Sequence, residues 1–156
     1  MTQVVTGKAV ADFTLPSTAG TDFRLRSARG QWVVLYFYPK DSTPGCTTES
    51  AAFRDLHAQF TAAGAMVLGI SRDSLASHAK FRLSLGLPFD LLSDSDEVVC
   101  KLFDVIREKN MYGKKVMGIE RSTFLIDAKG VLRHQWRKVK VPGHAEQVLE
   151  TLRTGG

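Results

Sequence analysis

The chain has 156 residues, 44% apolar and 24% charged, with a formal net charge of +5. That length supports one domain with its own core, and no apolar run is long enough for a membrane-spanning helix. Two cysteines, Cys46 and Cys100, exclude a disulfide-built scaffold. The opening residues 1–8 lack the basic start and apolar centre of a secretory signal, so a cytoplasmic protein is expected.

Residues 11–15 alternate weakly and residues 22–25 are read as their strand partner, with Gly20 marking the turn. Residues 32–38 are almost wholly apolar, the pattern of a central strand buried on both faces. From Pro44 the period changes. Phe53, Leu56, Phe60 and Ala63 recur at helical spacing, and Gly64 stops the helix. Residues 65–70 form a second buried strand, so strand, helix and strand predict a right-handed crossover between parallel strands.

A helix over 74–85, a short strand over 89–92 and a short helix over 95–103 follow, and residues 104–120 read as an irregular basic loop. Residues 122–127 and 131–136 flank Ala128-Lys129-Gly130, a hairpin signal, and a helix over 143–152 closes the chain. The sum is a single α/β domain over 1–156, a mixed sheet with helices on both faces. The basic groups Arg107, Lys109, Lys114, Lys115 and Arg121, then Arg133, Arg137, Lys138 and Lys140, read as a solvated face, since no nucleic-acid module accompanies them.

The run Tyr38-Pro39-Lys40-Asp41-Ser42-Thr43-Pro44-Gly45-Cys46-Thr47-Thr48-Glu49 joins the first buried strand to its helix. Thr43 is the expected N-cap and Pro44 the first helical residue, which places Cys46 in the first turn. Unpaired backbone N–H groups and the positive end of the helix dipole lie there, and both favour thiolate over thiol, the form that reacts. Pro39 can wall and shield the sulfur, the Thr43 hydroxyl can cap the helix and bond a substrate, and the N–H groups of Gly45 and Cys46 can stabilise negative charge.

Pro39-x-x-x-Thr43-x-x-Cys46 resembles the active-site motif of the peroxiredoxins, and the longer run resembles their bacterioferritin comigratory, or Q-type, branch. Asp12-Phe13-Thr14-Leu15-Pro16, Gly69-Ile70-Ser71, Leu92-Ser93-Asp94, Met111-Tyr112-Gly113-Lys114-Lys115 and Gly118-Ile119-Glu120-Arg121-Ser122-Thr123-Phe124 extend the similarity over nearly the whole chain. The resemblance implies a thioredoxin-like fold and a cofactor-free, thiol-dependent peroxidase acting on hydrogen peroxide and organic hydroperoxides. It implies roles for four residues. Cys46 attacks the peroxide and becomes a sulfenic acid. Pro39 shields it, Thr43 bonds the peroxide oxygen, and Arg121 stabilises the thiolate and orients the substrate. Glu49, one turn beyond Cys46, could hold Arg121 or simply favour the helix start. Thioredoxin, glutaredoxin or a small thiol is the implied reductant, and a monomer the implied state.

Regeneration is left open. Many members of the branch carry a second, resolving cysteine at the position of Ala51 here, others in the helix over 74–85, and this chain has none at either place. Cys100 is the remaining thiol. On a helix whose apolar face is Val98, Val99, Leu102 and Phe103 it lies about 130° from the centre of that face and is expected on the flank. Either Cys100 resolves, with rearrangement of both segments, or an external thiol attacks the sulfenic acid directly. The histidines His57, His78, His134 and His144 show no ligand spacing and no Cys-x-x-Cys occurs, so neither a metal site nor a dithiol exchanger is expected. A peroxide sensor or holdase controlled by Cys46 oxidation is the alternative from another class.

Overall fold

The computed structural model describes residues 3–156; Met1 and Thr2, the start of the run tested for a targeting signal, lie outside them. Thr14–Leu15 (β1) and Phe23–Arg24 (β2) pair antiparallel, with Thr14 opposite Arg24, and a 3-10 turn follows at Leu25–Ala28. Trp32–Phe37 (β3) is the middle strand of the main sheet. Its side chains alternate in direction, as on any strand. Val33, Leu35 and Phe37 join one core, while Val34 and Tyr36, with Tyr38 beyond them, join another. A strand with a core on each side has no polar face, which is why this run reads as continuously apolar.

Pro44–Ala62 (α1) crosses over to Ala65–Ser71 (β4), which pairs parallel with β3 in the register Trp32 opposite Ala65. Gly64, at φ 83°, makes the turn between them. Leu75–Leu85 (α2) is capped by the Ser74 hydroxyl, which accepts the N–H of Ser77, and ends at the left-handed Gly86. It leads to Leu91–Ser93 (β5), parallel to β4. A single turn of helix, Val98–Leu102 (α3), comes next. After a two-stranded excursion, Ser122–Ile126 (β8) returns antiparallel to β3 and Leu132–Trp136 (β9) adds the edge. The sheet order is β5-β4-β3-β8-β9, and His144–Arg153 (α4) ends the fold.

Helices α1, α2 and α4 cover one face, with Phe53, Phe60, Phe81, Val148 and Leu152 in a shared core. The N-terminal segment and α3 cover the other, around Phe13, Phe37, Phe103 and Phe124. Phe53 and Phe60 are fully buried, and truncating either to alanine removes about 3–5 kcal/mol. Gly69 permits the closest approach in this core. A Cβ there would stand 2.8 Å from the Tyr36 ring, which stacks on Phe53 at 4.7 Å. Among the described residues no helix is long and apolar enough to cross a membrane.

The reading of residues 104–120 as an irregular loop is corrected. Ile106–Met111 (β6) and Lys114–Ile119 (β7) form a regular antiparallel hairpin. Its turn is Tyr112 and Gly113, both at positive φ, 52° and 77°, the twist that two-residue hairpins need. Neither strand has an apolar face, because both stand largely in solvent and only Ile119 and Gly118 at the base are buried. Periodicity therefore had nothing to show. Of the basic groups here, Arg107 pairs with Asp104 at 2.7 Å and Lys115 with Glu108 at 3.8 Å.

Candidate active site

The first turn of α1 starts at Thr43, whose backbone is extended (φ −83°, ψ 154°), with Pro44 in the first helical position. The expected side-chain cap is absent. The Thr43 hydroxyl donates to the Lys40 carbonyl at 2.8 Å, closing the loop on itself. With its hydrogen committed, the oxygen keeps its lone pairs and can accept a hydrogen bond from a peroxide O–H. Thr47 N–H bonds the Thr43 carbonyl at 2.9 Å, so the N–H groups of Gly45 and Cys46 fall among those an α-helix leaves without intrahelical partners.

Cys46 is 1% exposed. Along α1 the buried positions are Cys46, Glu49, Ser50, Phe53 and Phe60, so the stripe that anchors the helix downstream carries the thiol and a carboxylate at its start. Arg121, at the end of the hairpin and just before β8, reaches both. Its Nη2 donates to Cys46 Sγ at 3.3 Å and its Nη1 to Glu49 Oε1 at 2.7 Å. The two groups bind adjacent nitrogens of one rigid fork. Gly45 makes the approach possible: a Cβ there would stand 3.1 Å from Arg121 Nη2.

Glu49 is almost completely enclosed, and its second oxygen, Oε2, has no hydrogen-bond partner. Burial pushes its carboxyl up to about 7, against the opposing pull of Arg121. Burial alone would weaken the charge on Arg121, but Glu49 and Cys46 more than offset it and hold the guanidinium above its usual value. Pro39, half-buried, lies two residues beyond β3 and borders a hollow shared with Lys40, Arg72, Asp73, Ser95 and Glu97. A cavity of about 340 Å³ lined by Phe13, Leu15, Val99 and Leu102 lies on the other side of the sheet, away from the thiol.

Two further groups escaped the sequence reading. Lys109 lies along the hairpin over Gly118, where a Cβ would stand 3.3 Å from its Cδ, and its ammonium donates to the Ile119 carbonyl. Burial and the neighbouring Arg121 hold that ammonium below its ordinary value, while Cys46 opposes them. It is thus a second cation within electrostatic reach of the thiol. The signal available was a lysine on the strand paired with the one preceding Arg121, which a hairpin assignment would have exposed. His144 is buried at the start of α4, its Nε2 2.8 Å from Thr123 Oγ1. Burial, then the charge of Arg121, pushes it down to about 4, so it is neutral near pH 7.

Cys100 is not on a solvent flank as expected; it is fully buried. The helix is a single turn, and its exposed residues are Val98, at 50%, and Lys101, while Val99, Cys100 and Leu102 face the core. Asp94 accepts the N–H groups of Val99 and Cys100 at 3.2 and 2.6 Å and sets that orientation. Burial, then the adjacent Asp94, pushes the Cys100 thiol well above its ordinary range. Cys46 belongs to the core under α1, α2 and α4, and Cys100 to the core on the opposite face of the sheet.

Residues 6–135 match the AhpC/TSA family. The chain is 54% identical to peroxiredoxin Bcp of Xanthomonas campestris over 98% of this chain and 97% of that one. A structure of the Xanthomonas campestris bacterioferritin comigratory protein, described for its alkyl peroxide reduction activity in trapped intermediate and ligand complexes, is similar with TM-score 0.87. It is 54% identical and covers 91% of this chain and 90% of that one. A cysteine-to-serine mutant of PrxQ from Xylella fastidiosa is similar with TM-score 0.92 and 47% identity, covering 99% of this chain and 98% of that one. At this identity over nearly its full length, the chain belongs to the AhpC/TSA family and, within it, to the Bcp or Q-type peroxiredoxins, which are thiol-dependent peroxidases.

Proposed function

We propose that Cys46 is the thiol that attacks peroxide and that an external thiol, rather than Cys100, restores it. The observation that carries the first half is the Arg121 fork on Cys46 Sγ and Glu49. The thiolate attacks one peroxide oxygen, the O–O bond breaks, and the sulfur becomes a sulfenic acid, oxidised by two electrons. The other oxygen leaves as hydroxide or alkoxide and takes a proton from solvent to give water or an alcohol. Its developing charge faces Arg121 and the first-turn N–H groups, donors already aimed at the place where charge appears. Thr43 accepts the peroxide hydrogen and fixes the line of attack, Pro39 keeps water from the sulfur, and Glu49 holds Arg121.

The second half rests on the opposed positions of the two cysteines. A disulfide needs Cα atoms within about 7 Å, so a Cys46–Cys100 bridge would require one thiol to leave its core and Cys100 to ionise against burial and Asp94. A thioredoxin, a glutaredoxin or a small thiol instead attacks the sulfenic sulfur, releasing water and leaving a mixed disulfide. A second thiol group then frees Cys46. We place the reaction in the cytoplasm, where such thiols are kept reduced, and retain the monomer implied by the resemblance.

Intact mass after one equivalent of hydrogen peroxide tests both halves. The expected product is the chain plus one oxygen, lost in Cys46→Ser. A loss of two hydrogens instead would establish the Cys46–Cys100 disulfide and sink the external route. Repeated turnover with excess thiol separates the peroxidase from a sensor, which oxidises once and stops.

A further inference from the structure

A buried polar cluster lies under the loop that carries Pro39 and Thr43, and the chemistry above makes no use of it. Asp41 and His78 are 3% and 0% exposed in their side chains. Asp41 Oδ1 accepts the Tyr38 hydroxyl at 2.6 Å, and Oδ2 accepts His78 Nδ1 at 2.7 Å and the Ser77 hydroxyl at 2.8 Å. The other ring nitrogen of His78 donates to the Leu92 carbonyl at 2.9 Å. The Leu92 carbonyl can only accept, so Nε2 carries a hydrogen, and Nδ1 shares a hydrogen with the Asp41 carboxyl group. Burial works against that carboxylate, yet the bonds from His78 and Tyr38 hold it below the usual range.

The backbone of the loop is tied down at the same place. Asp41 N–H donates to Asp73 Oδ2 at 2.9 Å, and the Ser71 hydroxyl donates to that same oxygen at 2.5 Å. Asp41, Asp73 and His78 bring ligating atoms within 4.8 Å of one another, but the atoms named are already bonded to protein groups, and the cluster is complete as a hydrogen-bond network. Next to Asp41, Ser42 sits at φ 63°, a left-handed conformation that a residue with a Cβ holds only when its surroundings impose it. Thr43 then folds back onto Lys40. Asp41 lies between Lys40 and Thr43, so the position of the Thr43 hydroxyl depends on what grips Asp41. What grips it comes from Tyr38 just after β3, Asp73 beyond β4, and Ser77 and His78 of α2, with His78 tying α2 to β5 as well.

We propose that His78 is a positioning residue for the peroxidase reaction: through Asp41 it holds the loop from Tyr38 to Thr43, and so the Thr43 hydroxyl, in the shape in which peroxide meets Cys46. This rests on the roles given to Cys46 and Thr43 above.

Two substitutions at one site separate positioning from bulk stability. The amide nitrogen of His78→Asn can take the place of Nδ1 and keep Asp41 while losing Leu92; that of His78→Gln can take the place of Nε2 and keep Leu92 while losing Asp41. Each loses one of the bonds the ring makes. The readout is the second-order rate of Cys46 oxidation by hydrogen peroxide, followed by intrinsic tryptophan fluorescence, beside the thermal midpoint and the rate of Cys46 alkylation by iodoacetamide. His78→Gln is expected to slow oxidation about 10-fold or more and His78→Asn to stay within about 3-fold of wild type. Alkylation, which needs the thiolate but not Thr43, should hold steady in both, whereas general loosening would speed it. Equal losses in the two variants, or wild-type oxidation in His78→Gln, overturn the proposal. If either variant folds poorly, Tyr38→Phe deletes one bond to Asp41 and keeps the ring. It should slow oxidation measurably, and an unchanged rate counts against the idea. Wild type and Cys46→Ser run alongside, so absence of Cys46 oxidation in wild type would overturn the proposed function itself rather than this inference.

Discussion

Arg121 is asked to do two things with one guanidinium, and its two hydrogen bonds fix how far it can move. Arg121→Ala removes the donor to the sulfur and leaves the buried Glu49 unpaired. The oxidation rate should fall on the order of 100-fold, the usual cost of one pre-aimed donor, measured by stopped-flow with hydrogen peroxide. A rate within a few-fold of wild type would remove Arg121 from the chemistry. Glu49 gives a separate pH test. Its carboxyl is raised from 4.5 to about 7 by burial, so between those values the folded state holds a proton the unfolded chain has released. Its contribution to stability is complete below pH 4.5 and is lost as pH rises to about 7. Glu49→Gln does not titrate. The wild-type thermal midpoint, taken relative to that variant, should drop across this interval, and parallel curves would refute the shift.

At the scale of the element, the start of α1 is built around an absence. Gly45 is not in a left-handed conformation; what it supplies is space for Arg121 Nη2, 3.1 Å from where a Cβ would be. Alanine is the better helix former, so Gly45→Ala should melt no lower than wild type yet oxidise about 10-fold more slowly, as the guanidinium is pushed off the sulfur. Loss of stability with unchanged rate would mean that the glycine serves the helix alone. The hairpin makes the complementary point. It carries Lys109 toward the site and delivers Arg121 from its base, although its sequence looks like a loop. Solvent on both faces leaves a strand pair no apolar period, and only the Tyr112-Gly113 turn marks it.

Across the whole molecule, the sheet divides the two cysteines. Cys100→Ala should leave peroxide turnover with an external thiol unchanged, and a large loss would restore Cys100 to the cycle. A second titration also belongs to the molecule as a whole, because His144 is held neutral by the packing of α4 on β8 and by the charge of Arg121. Its value drops from 6.5 to about 4, so its contribution to stability is present above pH 6.5 and is lost as pH falls toward 4. His144→Gln should therefore lose less stability than wild type over that fall, in thermal melts. This slope runs opposite to that of Glu49.

Runs of one period were legible from the chain itself. The central strand, α1 with its Gly64 stop, the crossover to β4 and the final hairpin and helix each depend on local patterning. So did the placement of Cys46 in a first turn, because Thr43, Pro44 and the cysteine are neighbours and a helix start is a local event. The link from Cys46 to Arg121 came from the resemblance, since no spacing rule joins residues so far apart. Three things only the tertiary structure decided. Cys100 is buried because Asp94 and the packing of one short turn orient it, and a pattern of five residues cannot declare its own inner face. Thr43 turns its hydroxyl to Lys40 instead of capping the helix, in a loop whose Asp41 is bonded by His78 of α2 and by Asp73 beyond β4. The two thiols are apart because a sheet stands between them. Local order follows from residues a few positions apart in the chain; which side of a sheet a thiol meets, and which cation it meets there, is set by contacts between segments whose separation along the chain carries no pattern.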